Sequence, residues 1–250
     1  MPKTFDTLQI LLIQARDTED IEQQEQVCFL ERCRIEASQL RTVNVPHEPL
    51  TEAHLQGVDA LLIGGAGEYS ATKDYPWMQG LLTFIRTADA QNLPIFGSCW
   101  GHQLLCRAFG GTVEHDAAQA EFGCLEVELT EAGRQDPLFH GFPDRFKANM
   151  GHHDRCTVLP PGAVELARNS QPNQAFRLGA RPVYGTQFHS ELDAKREEER
   201  LIRYQDYYQH ELGTGGFDAI LASLAETTEV DHLLHAFLER YVVSPAPADA

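Results

Sequence analysis

Cys99 stands in the run Gly97-Ser98-Cys99-Trp100-Gly101-His102-Gln103, after the apolar stretch Leu93 to Phe96. A helical pattern follows, Leu104, Leu105, Ala108 and Phe109, and Gly110-Gly111 closes it. A side chain that projects from a sharp strand-to-helix turn needs small neighbours, because the strained backbone approaches its surroundings closely. Gly97 and Gly101 supply them on either side. A helix that begins directly after Cys99 favours negative charge on the sulfur and leaves the Trp100 N–H free to bind an oxyanion. These features describe a nucleophile elbow carrying a thiol. The other cysteines, Cys28, Cys33, Cys106, Cys124 and Cys156, show no C-x-x-C spacing and read as free, structural thiols.

A thiolate that attacks an amide needs a proton donor for the departing amine. His189, at the end of the apolar segment Pro182 to Phe188, is the candidate. In an extended segment Glu191 falls on the same side as His189, where it would hold the imidazole ring.

The elbow followed by His102-Gln103, the pair Gly64-Gly65, and the block Tyr184-Gly185-Thr186-Gln187-Phe188-His189-Ser190-Glu191 resemble the class I, or triad, glutamine amidotransferases, and most of all their stand-alone, GMP-synthase-like branch. The resemblance covers most of the chain from Leu8 to about Glu191. It implies a Cys99-His189-Glu191 triad and a second oxyanion donor at the Gly65 N–H. It also implies that Gln103 helps hold a substrate glutamine and that the loop Met150-Gly151-His152-His153-Asp154, with His153, lies beside it. The pattern departs from the family at Ser190 and at Ala66, where members commonly carry proline.

The implied activity is hydrolysis of the glutamine side-chain amide through a glutamyl thioester, without a cofactor and with the ammonia supplied to a separate synthetase. Two other readings stay open. One is a γ-glutamyl peptidase or hydrolase that applies the same triad to another γ-glutamyl compound. The other is a non-catalytic binding or regulatory protein on the same fold, which the presence of all three triad residues weakens. The His152-His153-Asp154 cluster invites a metal, but adjacent residues rarely converge on one ion, and no metal is expected.

Around these residues, apolar runs alternate with helical stretches: Leu8–Ile13, Asp20–Ala37, Leu40–Val45, Ala60–Gly65, Trp77–Ala90, Pro94–Gly97. Such a rhythm predicts an α/β fold, a mostly parallel central sheet flanked by helices on both faces, with sites at the carboxyl ends of the strands. From about Thr112 to Phe188 the pattern turns to β-rich segments between Gly and Pro, which predict additional β hairpins. The resemblance makes this the flavodoxin-like class I glutamine amidotransferase fold. The absence of an interior linker or repeat predicts a single domain over 1–243, with a C-terminal helical extension from about 195 to 243 and a flexible tail over 244–250. The apolar stripe Val230, Leu233, Leu234, Phe237, Leu238, Tyr241 and Val242 reads as core packing, with Thr228 to Asp231 resembling a capping box.

Lys and Arg number 20 against 37 Asp and Glu, a formal charge of −17. That charge argues against nucleic acid and anionic membranes as partners. No apolar run approaches the length of about 20 residues that spans a bilayer. The N-terminal segment lacks a signal-peptide pattern, so the cytoplasm is the expected compartment.

Overall fold

A computed structural model describes residues 3–244, with the backbone alone over 207–215. Residues 245–250, most of the tail expected to be flexible, lie outside the described residues. The chain opens with β1 (Ile10–Gln14), buried along its whole length, as a strand covered on both faces must be. Helix α1 (Glu19–Cys33) buries Ile21, Glu25, Cys28, Phe29 and Cys33 at helical spacing and stops at Arg34, whose φ of 56° is left-handed. Strands β2 (Leu40–Asn44) and β3 (Ala60–Ile63) flank β1 in parallel. Then come α2 (Met78–Ala90), β4 (Ile95–Ser98) and α3 (Trp100–Ala108).

The middle of the chain supplies β5 (Thr112–His115), β6 (Glu121–Leu129), α4 (Glu131–Gln135), β7 (Arg145–His152), β8 (Asp154–Val158), β9 (Ala163–Arg168), β10 (Ala175–Leu178) and β11 (Val183–Thr186). Helices α5 (Ala194–Arg203), α6 (Gln205–Ser223) and α7 (Leu233–Leu238) complete it. The nine-stranded sheet runs β2-β1-β3-β4-β11-β10-β9-β6-β7. Its first five strands are parallel, and from β11 outward the pairs are antiparallel. The expected hairpins are thus an extension of the central sheet, and β5 with β8 forms a separate antiparallel ribbon.

Side chains alternate across a strand, so each central strand feeds two cores. Ile10, Leu12, Leu62 and Phe96 face α1 and α7, whereas Leu11, Ile13, Leu61 and Ile95 face α2 and α3. The C-terminal stripe belongs to the first core: Leu233, Leu234, Phe237 and Leu238 are fully buried, and the Phe237 ring stands edge-on to Phe96 with centroids 5.4 Å apart. The expected capping box does not form there. Thr228 Oγ1 donates to Glu229 Oε2, and the Val230 and Asp231 amides donate to the Thr227 carbonyl, so a 3-10 turn leads into α7 instead. Among the described residues no helix is long and apolar enough to cross a membrane.

Candidate active site

The chain turns from β4 into α3 at Cys99, which caps the helix with φ 50° and ψ −101°. A positive φ on a residue with a side chain is costly and persists only where the surroundings over-determine it. Here they do. The Cys99 amide donates to the Thr186 carbonyl of β11 at 2.8 Å, and the Gly101 amide to the Gly64 carbonyl after β3 at 3.1 Å. A Cβ on Gly97 would collide with the Gly101 carbonyl group, and one on Gly101 with the Ile63 carbonyl oxygen. The elbow is therefore held from the neighbouring strand on each side, and its two glycines are fixed by close backbone approach.

His189 and Glu191 follow β11, the strand beside β4, which brings them to Cys99 despite their distance in sequence. His189 Nδ1 lies 2.9 Å from Glu191 Oε1, and the imidazole also interacts with the Cys99 sulfur. The Ser98 hydroxyl donates to the other Glu191 oxygen, and Arg200 Nη1 lies 3.6 Å from Oε1. Ser190 uses two groups that a proline would lack: its amide donates to Ser98 Oγ at 3.2 Å, and its hydroxyl lies 2.9 Å from Thr186 Oγ1. These hydrogen bonds restrain the segment that carries His189 and Glu191.

Burial by itself would push the His189 imidazolium down, but the carboxylates of Glu197 and Glu191 and the Cys99 sulfur outweigh it and raise the group well above its ordinary 6.5. Burial would likewise raise the Glu191 carboxyl; His189, Arg200 and Ser98 hold it down to about 2. The signs differ. The raised imidazole contributes stability that is fully present below its ordinary value and is lost as pH rises through the folded one. The depressed carboxyl contributes stability present above its ordinary 4.5 and lost as pH falls toward about 2. We expect Cys99-dependent turnover to persist through neutral pH and to fall on the alkaline side, where His189 loses its proton. Glu191→Gln is expected to slow turnover by about 10²-fold and to move that alkaline limb toward 6.5, read from a kcat/KM profile against pH.

The turn after β3 places Gly65 beside the imidazole: a Cβ there would sit 3.3 Å from His189 Cε1. Its N–H, however, donates to Glu25 Oε1 at 3.2 Å. Glu25 is wholly buried and paired with Arg16, 2.6 Å from Nη2, while Gln14 Nε2 donates to its other oxygen at 2.8 Å. Stabilising an oxyanion through Gly65 therefore requires this peptide to turn away from Glu25. Removing one member of a buried ion pair strands the other, so Glu25→Ala is expected to cost about 3–5 kcal/mol in a urea melt.

Cys99, Trp100 and Gln103 line an open cleft, together with Tyr69, Lys73 and His153. Trp100 is the first residue of α3, where amides have no intrahelical acceptor. Gln103 Nε2 donates to the Asp154 carbonyl at 2.6 Å and lies 3.3 Å from Gln187 Oε1. His153 stacks on His115 and stands edge-on to Phe122. The neighbouring His152 lies 3.3 Å from Glu121, and His115 lies 2.8 Å from Asp154. Among the described residues no group of three or more His, Cys, Asp or Glu is disposed to hold a metal. Gln187 was not singled out in the sequence, yet its Nε2 approaches Cys99 Sγ at 3.9 Å; its place one residue before Phe188-His189 was the available signal. Glu197 and Arg200, buried on α5, were missed as well.

The family model described as glutamine amidotransferase class-I matches residues 29–205. Over 120 residues the chain is 36% identical to the glutamine-hydrolysing GMP synthase subunit of Pyrococcus abyssi, a stretch that is 48% of this chain and 62% of that one. Over 180 residues it is 28% identical to the corresponding GMP synthase subunit of Methanosarcina mazei, 71% of this chain and 88% of that one. The chain thus spans less than two thirds of the Pyrococcus relative's length, and about half that of the corresponding subunits of Thermococcus kodakarensis and Methanopyrus kandleri. The fold matches the crystal structure of a glutamine amidotransferase from Thermotoga maritima with a TM-score of 0.76 at 24% identity, covering 95% of this chain and 99% of that one.

Proposed function

Because the chain belongs to the class I glutamine amidotransferase family, we propose that it hydrolyses the side-chain amide of glutamine, using a single domain of residues 1–243. Cys99 sulfur attacks the amide carbon, and the Trp100 N–H and a reoriented Gly65 N–H receive the charge that develops on the carbonyl oxygen. His189 passes its proton to the nitrogen as the C–N bond breaks, leaving a glutamyl thioester and ammonia. Water, deprotonated by His189, then breaks the C–S bond and releases glutamate. Glu191 keeps the imidazole oriented and favours its charged form. Gln103 and His153 line the part of the cleft that would hold the glutamyl group.

The observation that carries this reading is the strained, positive-φ Cys99 beside a His189 imidazole held at 2.9 Å by Glu191. The names of the relatives, glutamine-hydrolysing subunits of GMP synthase, support a further step, delivery of the ammonia to a separate synthetase. A glutamine-analogue electrophile should add once, to Cys99, as read by peptide mass spectrometry, and the unlabelled protein should release glutamate from glutamine. Loss of both results, or an adduct on another cysteine, overturns the reading.

A further inference from the structure

Cys99 is a wall of two spaces. One is the open cleft lined by Trp100 and Gln103; the other is smaller, and there His189 joins Cys99 with Glu197 and Arg200. The smaller space has room for about one or two water molecules. A glutamyl group bound along the cleft presents its carbonyl carbon to Cys99 where the two spaces meet, with the imidazole on the side of the smaller one. The nitrogen that His189 protonates therefore leaves on that side, and the water that His189 deprotonates must stand there in its turn.

Two charged side chains of α5 wall this space. Asp193 caps the helix, its side chain accepting from the Arg196 amide at 2.7 Å, and Glu197 and Arg200, three residues apart, share one face. Glu197 is 2% exposed and Arg200 5%, so bulk solvent serves neither. The Glu197 carboxylate lies over β7, where a methyl group on Gly151 would come within 3.1 Å of Oε1. Burial lowers the His189 imidazolium, and among the groups that counter it Glu197 stands first. Arg200 Nε donates to Gln24 Oε1 at 3.1 Å, whereas Nη1 stands 3.6 Å from Glu191 and 3.8 Å from Glu25, beyond hydrogen-bond distance. Among the described residues, Glu197 Oε2 and both Arg200 terminal nitrogens have no hydrogen-bond partner. Buried polar atoms in native proteins are nearly always satisfied, and where several converge on a space of this size the partner that fits is a water molecule.

We propose that Glu197 and Arg200 seat the water that opens the glutamyl thioester, which makes Glu197 a catalytic residue of the second half of the reaction. The inference rests on the Cys99 chemistry proposed above and adds to it a residue outside the Cys99-His189-Glu191 set. Having given its proton to the departing nitrogen, His189 is neutral, and the ring nitrogen not held by Glu191 accepts one hydrogen of the water. Glu197 Oε2 accepts the other, and an Arg200 N–H donates to one lone pair of the oxygen. The second lone pair is left for the carbonyl carbon. As the C–O bond forms, the proton passes to His189; the C–S bond then breaks, the electron pair returns to sulfur, and glutamate departs. The Cys99 thiolate and the His189 imidazolium are restored together.

The test lets a second nucleophile compete with water for the thioester. The full chain turns over glutamine in the presence of hydroxylamine, and the ratio of γ-glutamyl hydroxamate to glutamate is measured. Hydroxylamine is nucleophilic without losing a proton, so it depends less on the seat than water does. Glu197→Gln, which removes a charge-assisted hydrogen bond to the water, should raise the ratio about tenfold and make the Cys99 thioester visible in the intact mass. A merely structural role would lower the rate and leave the ratio alone, so a ratio within about twofold of the parent overturns the inference. The unsubstituted protein supplies a second reading that needs no variant: O-benzylhydroxylamine, too large for the space beside His189, should capture the thioester at least about tenfold less than hydroxylamine at equal concentration. Equal capture by the two means that nucleophiles arrive from the open cleft, and overturns the inference as well. Either failure leaves the proposed glutamine chemistry standing, whereas no Cys99-dependent release of glutamate from glutamine defeats both.

Discussion

Cys99→Ala is expected to lower glutamate release by about 10⁴-fold or more while leaving the chain folded. On the mechanism proposed above, the loss is large because the thiolate forms the bond that makes the amide easy to break. His189 and the oxyanion donors retain little without it, since residues of a triad act as a unit. The fold should tolerate the change: alanine meets the same positive φ as cysteine and fills nearly the same space at a site 5% exposed. Circular dichroism and a urea midpoint within about 1 kcal/mol of the parent would accompany the lost activity. Full turnover in the variant would place the nucleophile elsewhere.

The second large effect is expected at Gly101, and here both stability and rate should change. A methyl group on Gly101 has no room, because the Ile63 carbonyl oxygen and Cβ occupy the place it would take. The glycine cannot shift away freely, since its amide is bonded to the Gly64 carbonyl at 3.1 Å. Gly101→Ala must therefore part α3 from β3, at about 3 kcal/mol, and displace the Cys99 sulfur. A misplacement of about 1 Å costs about 10² in rate. Gly80 is the control: it lies exposed on α2 with nothing within 4 Å of the place a methyl group would take, so Gly80→Ala should raise stability by about 0.5–1 kcal/mol. Equal denaturation midpoints for the two alanine variants would contradict the crowding argument.

What the sequence disclosed follows from how local each signal is. Strands β1, β3 and β4 are buried on both faces, so each opens on a run of consecutive apolar residues, and the elbow between β4 and α3 writes its steric demand as two glycines. Strand β5, Thr112-Val113-Glu114-His115, is largely exposed and has no apolar face to show; β10 is four residues long and ends in Arg177-Leu178. Both escaped for want of a pattern. Glu197 and Arg200 sit in Lys195-Arg196-Glu197-Glu198-Glu199-Arg200, which has the composition of a solvated helix face. Only the packing of α5 against β7 distinguishes the buried members from the wet ones. The bond from the Gly65 amide to Glu25 was equally hidden, because it joins residues 40 apart in sequence.

Strand β4 lies between a neighbour that precedes it in the chain and one that arrives much later, β11. Long-range pairings of this kind close slowly, because the entropy of the intervening chain must be overcome first. Until β11 docks, the Cys99 amide lacks its acceptor on Thr186, and neither His189 nor Glu191 is near. Reactivity at this thiol consequently depends on β11 being in place: a chain in which that strand has not docked carries the cysteine without its backbone acceptor and without its proton donor.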